Sequence, residues 1–159
     1  METRERELFD YRDGKLYWKV SRGRITAGQE AGCLSEGNNY FLIQYDYKLK
    51  LLHRVIWAYH YGEIGKGVYI DHINRDPLDN RIENLRICNI SQNQGNSKLN
   101  FNSTSGFKGV HMLKSGRFQA GINKQGKKFH LGTFDTAEEA HAAYLKAAGE
   151  YFGEFAHGG

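Results

Sequence analysis

The sequence predicts an α+β chain in two parts, and three stretches carry that expectation. Residues 106–159 hold three alternating runs joined by tight-turn residues and followed by one helix-patterned segment. Residues 51–62, LLHRVIWAYHYG, repeat apolar side chains at helical spacing, and residues 1–50 hold short strand-like runs between glycine-rich turns.

In the N-terminal part, Lys15 to Val20 and Tyr40 to Tyr47 read as strands, with turn signals at Arg22-Gly23 and Glu36-Gly37-Asn38-Asn39. Leu52, Val55, Ile56 and Tyr59 then share one face of a helix that Gly62 stops. Residues 99–105, LNFNSTS, are polar linker material between a domain at 1–98 and a second at 106–159.

The C-terminal part is the most legible. GFKGVHML, RFQAGIN and KKFHLGTF alternate side chains, and Lys114-Ser115-Gly116 and Lys124-Gln125-Gly126 join them into a three-stranded antiparallel sheet. Period two assigns Phe107, Val110, Ala120, Ile122, Phe129, Leu131 and Phe134 to the covered side and Lys108, His111, Gln119, Asn123, Lys128 and His130 to the open side. Thr136 and Glu139 form a capping-box pattern, and Ala137, Ala140, Tyr144, Ala147 and Tyr151 repeat on one face of the helix that follows.

Composition is that of a soluble globular protein. Cys33 and Cys88 lie far apart with no Cys-x-x-Cys spacing, which argues against structural zinc and a disulfide framework. The N-terminus METRERELFDYRDG has no apolar core of a signal peptide and no run reaches membrane-spanning length, so a cytoplasmic protein without membrane contact is expected. The net charge is only +4, but it is unevenly placed. Between Lys98 and Phe134 stand Lys98, Lys108, Lys114, Arg117, Lys124, Lys127 and Lys128 with no Asp or Glu, whereas acids dominate from Asp135 to Glu154. A narrow cationic sheet suits a DNA groove, with Lys or Arg on phosphate or guanine and His or Asn on base edges.

The segment from Ser105 to Ala156 resembles the AP2 DNA-binding domain through Lys108-Gly109-Val110, Gly116-Arg117-Phe118, Leu131-Gly132-Thr133-Phe134, Glu138-Glu139-Ala140 and Ala142-Ala143-Tyr144. The resemblance implies a sheet backed by one helix, lying in the major groove of double-stranded DNA. It places DNA contacts at Lys108, His111, Arg117, Asn123, Lys128 and His130, several of which depart from the family's usual Arg or Trp.

The remaining chemistry lies in IDHINRDPLDNRIENLRICNISQNQGNSK, residues 70–98. Phosphodiester hydrolysis needs an activated water, a cation on the phosphate and departing 3′ oxygen, and a scaffold for both. Adjacent strand residues point different ways, so Asp71 can ligate a metal while His72 addresses the water. The stretch resembles the HNH nuclease motif, with Asp71-His72 as its first element, Asn84 in Glu83-Asn84-Leu85 as its centre and Asn93 in Ser91-Gln92-Asn93 as its last position. Upstream, LLHRVIWAYHYG is similar to phage-type HNH homing endonucleases.

That resemblance implies a β-hairpin and helix clasping one divalent cation, with Asp71 and Asn93 as ligands, His72 as general base and Asn84 pinning the loop. Oxygen ligands favour Mg²⁺ or Mn²⁺ over Zn²⁺. It also implies a phage-encoded protein acting in the host cytoplasm. Asn80 and Asn96 read as turn or capping residues, and His53 as a packed helix residue rather than a ligand. One Asp71-His72 pair and no surplus apolar helix face predict a monomer, without an obligatory protein partner, that nicks one strand. The alternatives are a non-catalytic DNA-binding regulator with a relic HNH unit and, third, an RNA-binding protein, which the lack of paired exposed aromatics on the sheet disfavours.

Overall fold

A computed structural model describes residues 3–37, 39–97, 99 and 103–158; Asn38 of the expected turn, Lys98, and residues 100–102 of the expected linker lie outside them. The chain is a mixed α/β protein of small antiparallel sheets and few helices, organised as two compact units, Met1–Ile87 and Cys88–Gly159.

The first unit opens with a short helix α1 (Arg4–Leu8), capped by Thr3, whose side chain accepts the Arg6 N–H. Strands β1 (Phe9–Arg12) and β2 (Lys15–Trp18) pair antiparallel from Phe9↔Trp18 to Arg12↔Lys15, and β3 (Glu30–Ala31) adds to β2. The turn between β1 and β2 is Asp13-Gly14 with φ of 45° and 81°, the left-handed pair that a two-residue hairpin turn requires. A second sheet comprises β4 (Cys33–Leu34), β5 (Phe41–Tyr45) and β6 (Lys48–Leu51).

Helix α2 (Leu52–Tyr61) follows β6 directly and ends at Gly62, whose φ of 88° closes it. Its buried Leu52, Val55 and Ile56 join Phe9, Leu16, Trp18, Ile43 and Tyr45 in the core, with Ile70 and Leu85 from the two-stranded sheet of β7 (Tyr69–His72) and β8 (Leu85–Cys88). The core therefore sits directly under the strand that carries Asp71 and His72.

The second unit contains α3 (Ile90–Asn96), the sheet of β9 (Val110–Met112), β10 (Phe118–Lys124) and β11 (Lys127–Phe134), and α4 (Ala137–Phe152). β10 is the central strand, antiparallel to both neighbours. Thr136 caps α4 by accepting the Glu139 N–H at 3.2 Å. Ala137, Ala140, Tyr144, Ala147 and Ala148 are buried against Val110, Ala120 and Ile122 of the sheet, and the small side chains let helix and sheet approach closely. Gly109 makes the tightest approach: φ is +74°, and a Cβ there would lie 2.0 Å from the Tyr144 ring.

Helix α3 is held by a reciprocal cap, Asn89 Oδ1 accepting from Gln92 N–H and Gln92 Oε1 accepting from Asn89 N–H, each at 2.9 Å. Gly95 packs so closely on the Phe152 ring that a Cβ would come within 2.7 Å of it. The compact unit therefore begins at Cys88, ahead of the linker expected at 99–105, because α3 packs with α4. Among the described residues no helix is long and apolar enough to cross a membrane.

Candidate active site

Asp71 and His72 end strand β7, and both are buried, at 7% and 6% exposure. Alternation along the strand sends the two side chains to different neighbours. Arg86, on the paired strand β8, donates from Nε to Asp71 Oδ2 at 3.0 Å. The His72 ring meets that of His53 edge to face at 4.9 Å, and Tyr40 lies 6.2 Å from His72 and 5.6 Å from His53. Burial, followed by the neighbouring His72 and Arg54, pushes the pKa of His53 down to about 3, so at neutral pH it is an uncharged wall beside His72.

Behind β7 the chain forms a tightly crosslinked loop. Asn84 Oδ1 accepts the Asn74 N–H at 3.0 Å, while its Nδ2 donates to Asp79 O at 2.7 Å and Asn74 Oδ1 at 2.9 Å. Asp79 receives a fork from Arg81, Nε and Nη2 each at 2.8 Å, and this bonding holds its carboxyl down at about 2. Asn84 thus ties both ends of the loop with one side chain, and the amide suits this because it donates and accepts at once. The Ile82 N–H donates to Tyr11 Oη at 3.0 Å, anchoring the loop's return to the N-terminal hairpin.

Asn80 lies elsewhere than expected of a turn or capping residue. It is 3% exposed, and its Oδ1 stands 3.0 Å from His72 Nε2. The sequence marks Asn80 only as a turn or capping residue and assigns no role to Arg86. The pairing of β8 with β7 brings Arg86 to Asp71, but Asn80 reaches His72 through an irregular loop that no periodicity encodes.

Asn93 is half-buried on α3, in the second unit, with its N–H bonded to Asn89 O at 3.0 Å. Among the described residues no three His, Cys, Asp or Glu side chains are drawn together, so they form no zinc-type cage. A single carboxylate such as Asp71 is the oxygen donor type that a hard divalent cation takes, since such a cation completes its shell with water and substrate phosphate.

The second unit's sheet presents a polar face. Register places Gln119 opposite His111, Asn123 opposite Lys128 and Gly121 opposite His130, after a bulge between Ala120 and Gly121. His111, Asn123, Lys128 and His130 are exposed, and His130 Nδ1 contacts Gln119 Nε2 at 2.9 Å. A groove of about 600 Å³ on this face is lined by Ser97, Lys108, His111, Gln119, Lys128 and His130.

Two of the expected contacts have intramolecular partners. Lys108 Nζ donates to Gly95 O at 2.7 Å and Ser97 O at 2.6 Å, neutralising the carbonyl end of α3. Arg117 pairs with Asp135 at 2.9 Å, but both side chains are exposed, at 51% and 81%, and such a pair is weak and screened. Phe129, expected on the covered side, does pair with Ile122 and faces Tyr151, yet it remains 40% exposed.

Residues 50–94 match the family described as HNH endonuclease. The chain is 32% identical over 121 residues to the uncharacterized HNH endonuclease L560 of Acanthamoeba polyphaga mimivirus, an alignment covering 76% of this chain and 63% of that protein. It is 33% identical over 111 residues to Protein 3.8 of Escherichia phage T7, covering 69% of this chain and 91% of the relative. It is also 42% identical over 85 residues to the ethylene-responsive transcription factor ERF117 of Arabidopsis thaliana, covering 52% of this chain and 25% of that factor. No solved structure matches. The match to the HNH endonuclease family lies within residues 50–94, and the chain spans less than two thirds of the mimivirus relative's length.

Proposed function

We propose that this protein is a metal-dependent HNH endonuclease of homing type that hydrolyses one phosphodiester of duplex DNA and is targeted by its AP2-like sheet. The observation that carries the reading is the pairing of buried Asp71 and His72 at the end of one strand, beside a loop that Asn84 ties at both ends.

In this reading Asp71 holds the divalent cation, and the motif assigns the second oxygen ligand to Asn93. When bound, that cation neutralises charge on the scissile phosphate and on the 3′ oxygen. His72 takes the proton of a water whose oxygen attacks phosphorus; the bond to the 3′ oxygen breaks, leaving a 5′ phosphate and a 3′ hydroxyl. Asn84 keeps the base in place by preventing the loop from relaxing. Lys128 supplies a phosphate contact, His111, Asn123 and His130 meet base edges, and Arg117 exchanges Asp135 for DNA. Lys108 acts through α3 rather than through phosphate. The match to a phage protein supports a role inside an infected host cell.

Supercoiled plasmid incubated with the protein and Mg²⁺ should pass to open circle before any linear form appears, and light scattering should give the mass of one chain, 18.2 kDa. His72→Ala should lose on the order of 10² to 10⁴ in rate while retaining DNA affinity. Linear product at the rate of nicking would overturn the single-strand reading, and wild-type cleavage by His72→Ala would overturn the base. The contact of Arg86 with Asp71 favours a second reading, a regulator that binds DNA without cutting it. Absence of cleavage at all metal concentrations, with binding intact, would establish it.

A further inference from the structure

We infer that Asn80 is the positioning residue for His72: it fixes the ring's tautomer, so that Nδ1 is the atom that accepts the proton of water. This rests on the proposed role of His72 as general base. Asn80 lies outside the three motif positions, and the assignment comes from geometry alone.

Asn80 Oδ1 faces His72 Nε2 at 3.0 Å, and the amide's other end donates from Nδ2 to Leu78 O at 3.5 Å. That second contact orients the amide, since an oxygen turned toward a carbonyl would be repelled. An oxygen facing Nε2 can only accept, so Nε2 carries the hydrogen and the lone pair of the neutral ring resides on Nδ1. With both residues buried, at 3% and 6% exposure, water does not compete effectively for this bond, and the other tautomer would leave two acceptors facing each other. When Nδ1 takes a proton from water, the imidazolium keeps its Nε2–H bond to Asn80, and the charge formed on the ring is met by a fixed amide dipole.

The support for Asn80 reaches back to the N-terminal hairpin. Gly14, in the β1–β2 turn, lies against the Asn80–Arg81 peptide so closely that a Cβ would stand 3.0 Å from Asn80 C and 2.8 Å from Arg81 N. The turn is a backstop that sets the position of Asn80 and, through it, of the imidazole.

The test is ¹⁵N spectroscopy of histidine-labelled full-length protein, which distinguishes protonated from unprotonated ring nitrogens, combined with cleavage rates. Wild type should show His72 with Nε2 protonated and Nδ1 unprotonated; the reverse would overturn the inference without any variant. Asn80→Asp keeps the acceptor and should retain the tautomer and most of the rate. Asn80→Ala should give a mixed tautomer and lose about 10- to 100-fold in rate at unchanged DNA affinity. A variant Asn80→Ala with the wild-type tautomer and rate would refute the role, even where His72→Ala abolishes cleavage. Wild-type cleavage by His72→Ala would instead remove the general-base reading and leave the tautomer measurement standing by itself.

Discussion

Arg86 Nε stands 3.0 Å from Asp71 Oδ2, with the two side chains only 15% and 8% exposed, so the proposed metal ligand already has a cation beside it. Removing one partner of a buried ion pair takes compensating charge away from the other. Arg86→Ala should therefore destabilise the first unit by on the order of 3 kcal/mol in EDTA. A divalent cation on Asp71 would restore the missing charge, so Mg²⁺ or Mn²⁺ should raise the melting temperature of Arg86→Ala by more than that of wild type. Asp71→Ala should erase the metal response. Identical metal-induced shifts in wild type, Arg86→Ala and Asp71→Ala would place the cation elsewhere.

Two lysines of the second unit, Lys128 on β11 and Lys108 in the turn before β9, should behave differently. Lys128 is exposed, and Lys128→Ala should weaken binding to all duplexes and reduce the salt slope of log K by about one, as loss of one phosphate contact does. Lys108 is bonded to the carbonyls of Gly95 and Ser97, so Lys108→Ala should lower stability by about 1 to 2 kcal/mol and leave the salt slope nearly unchanged. Binding titrations at several salt concentrations, beside urea unfolding, separate the two.

Acid should destabilise the first unit through His53. Its folded pKa of about 3 lies below the unfolded value near 6.5, so between these limits the unfolded chain binds a proton that the folded chain refuses. The stability of the neutral ring is fully present above pH 6.5 and declines as pH falls toward 3, at up to about 1.4 kcal/mol per pH unit. His53→Gln should flatten the stability curve by about one proton over that range. A curve of unchanged slope would show that another group carries the acid response.

Gly109→Ala should be among the most damaging single-methyl additions in the second unit. Its φ of +74° disfavours any side chain, and the new Cβ would meet the buried Tyr144 ring at 2.0 Å. A loss of about 3 kcal/mol is expected by urea unfolding, combining overpacking with backbone strain. Gly116→Ala, with φ of +83° but nothing within 4 Å, should cost only the backbone part.

Elements with a repeating pattern were legible. The α2 face of Leu52, Val55 and Ile56, and the β9–β11 turns with Gly116 and Gly126 at positive φ, follow rules written locally in the chain. The hairpin β1–β2 carries an equally plain turn signal in Asp13-Gly14, whereas the β5–β6 turn uses Asp46-Tyr47 at φ of 48° and 59°, with no glycine to announce it. The exposure of Phe129 was not legible, because alternation gives a side but not how far the helix extends over it. In the site, motif spacing singles out Asp71, His72, Asn84 and Asn93. The contacts of Asn80 with His72 and Arg86 with Asp71 depend on loop path and strand pairing, which individual residue types do not specify.

The seating of Gly95 on Phe152 has a consequence for recombination between genes. A graft that exchanged everything after the polar stretch at 99–105 would carry α3 into its new host without the aromatic ring it lies on, and with a cap whose lysine had been left behind. Asn93 rides on that helix. The seam that keeps α3 with its own supports falls between Ile87 and Cys88, so the natural unit of exchange at the C-terminal end includes Asn93, the last position of the HNH-like motif. Chimeras joined there inherit a formed helix, while chimeras joined at the linker inherit a motif with its final position unsupported.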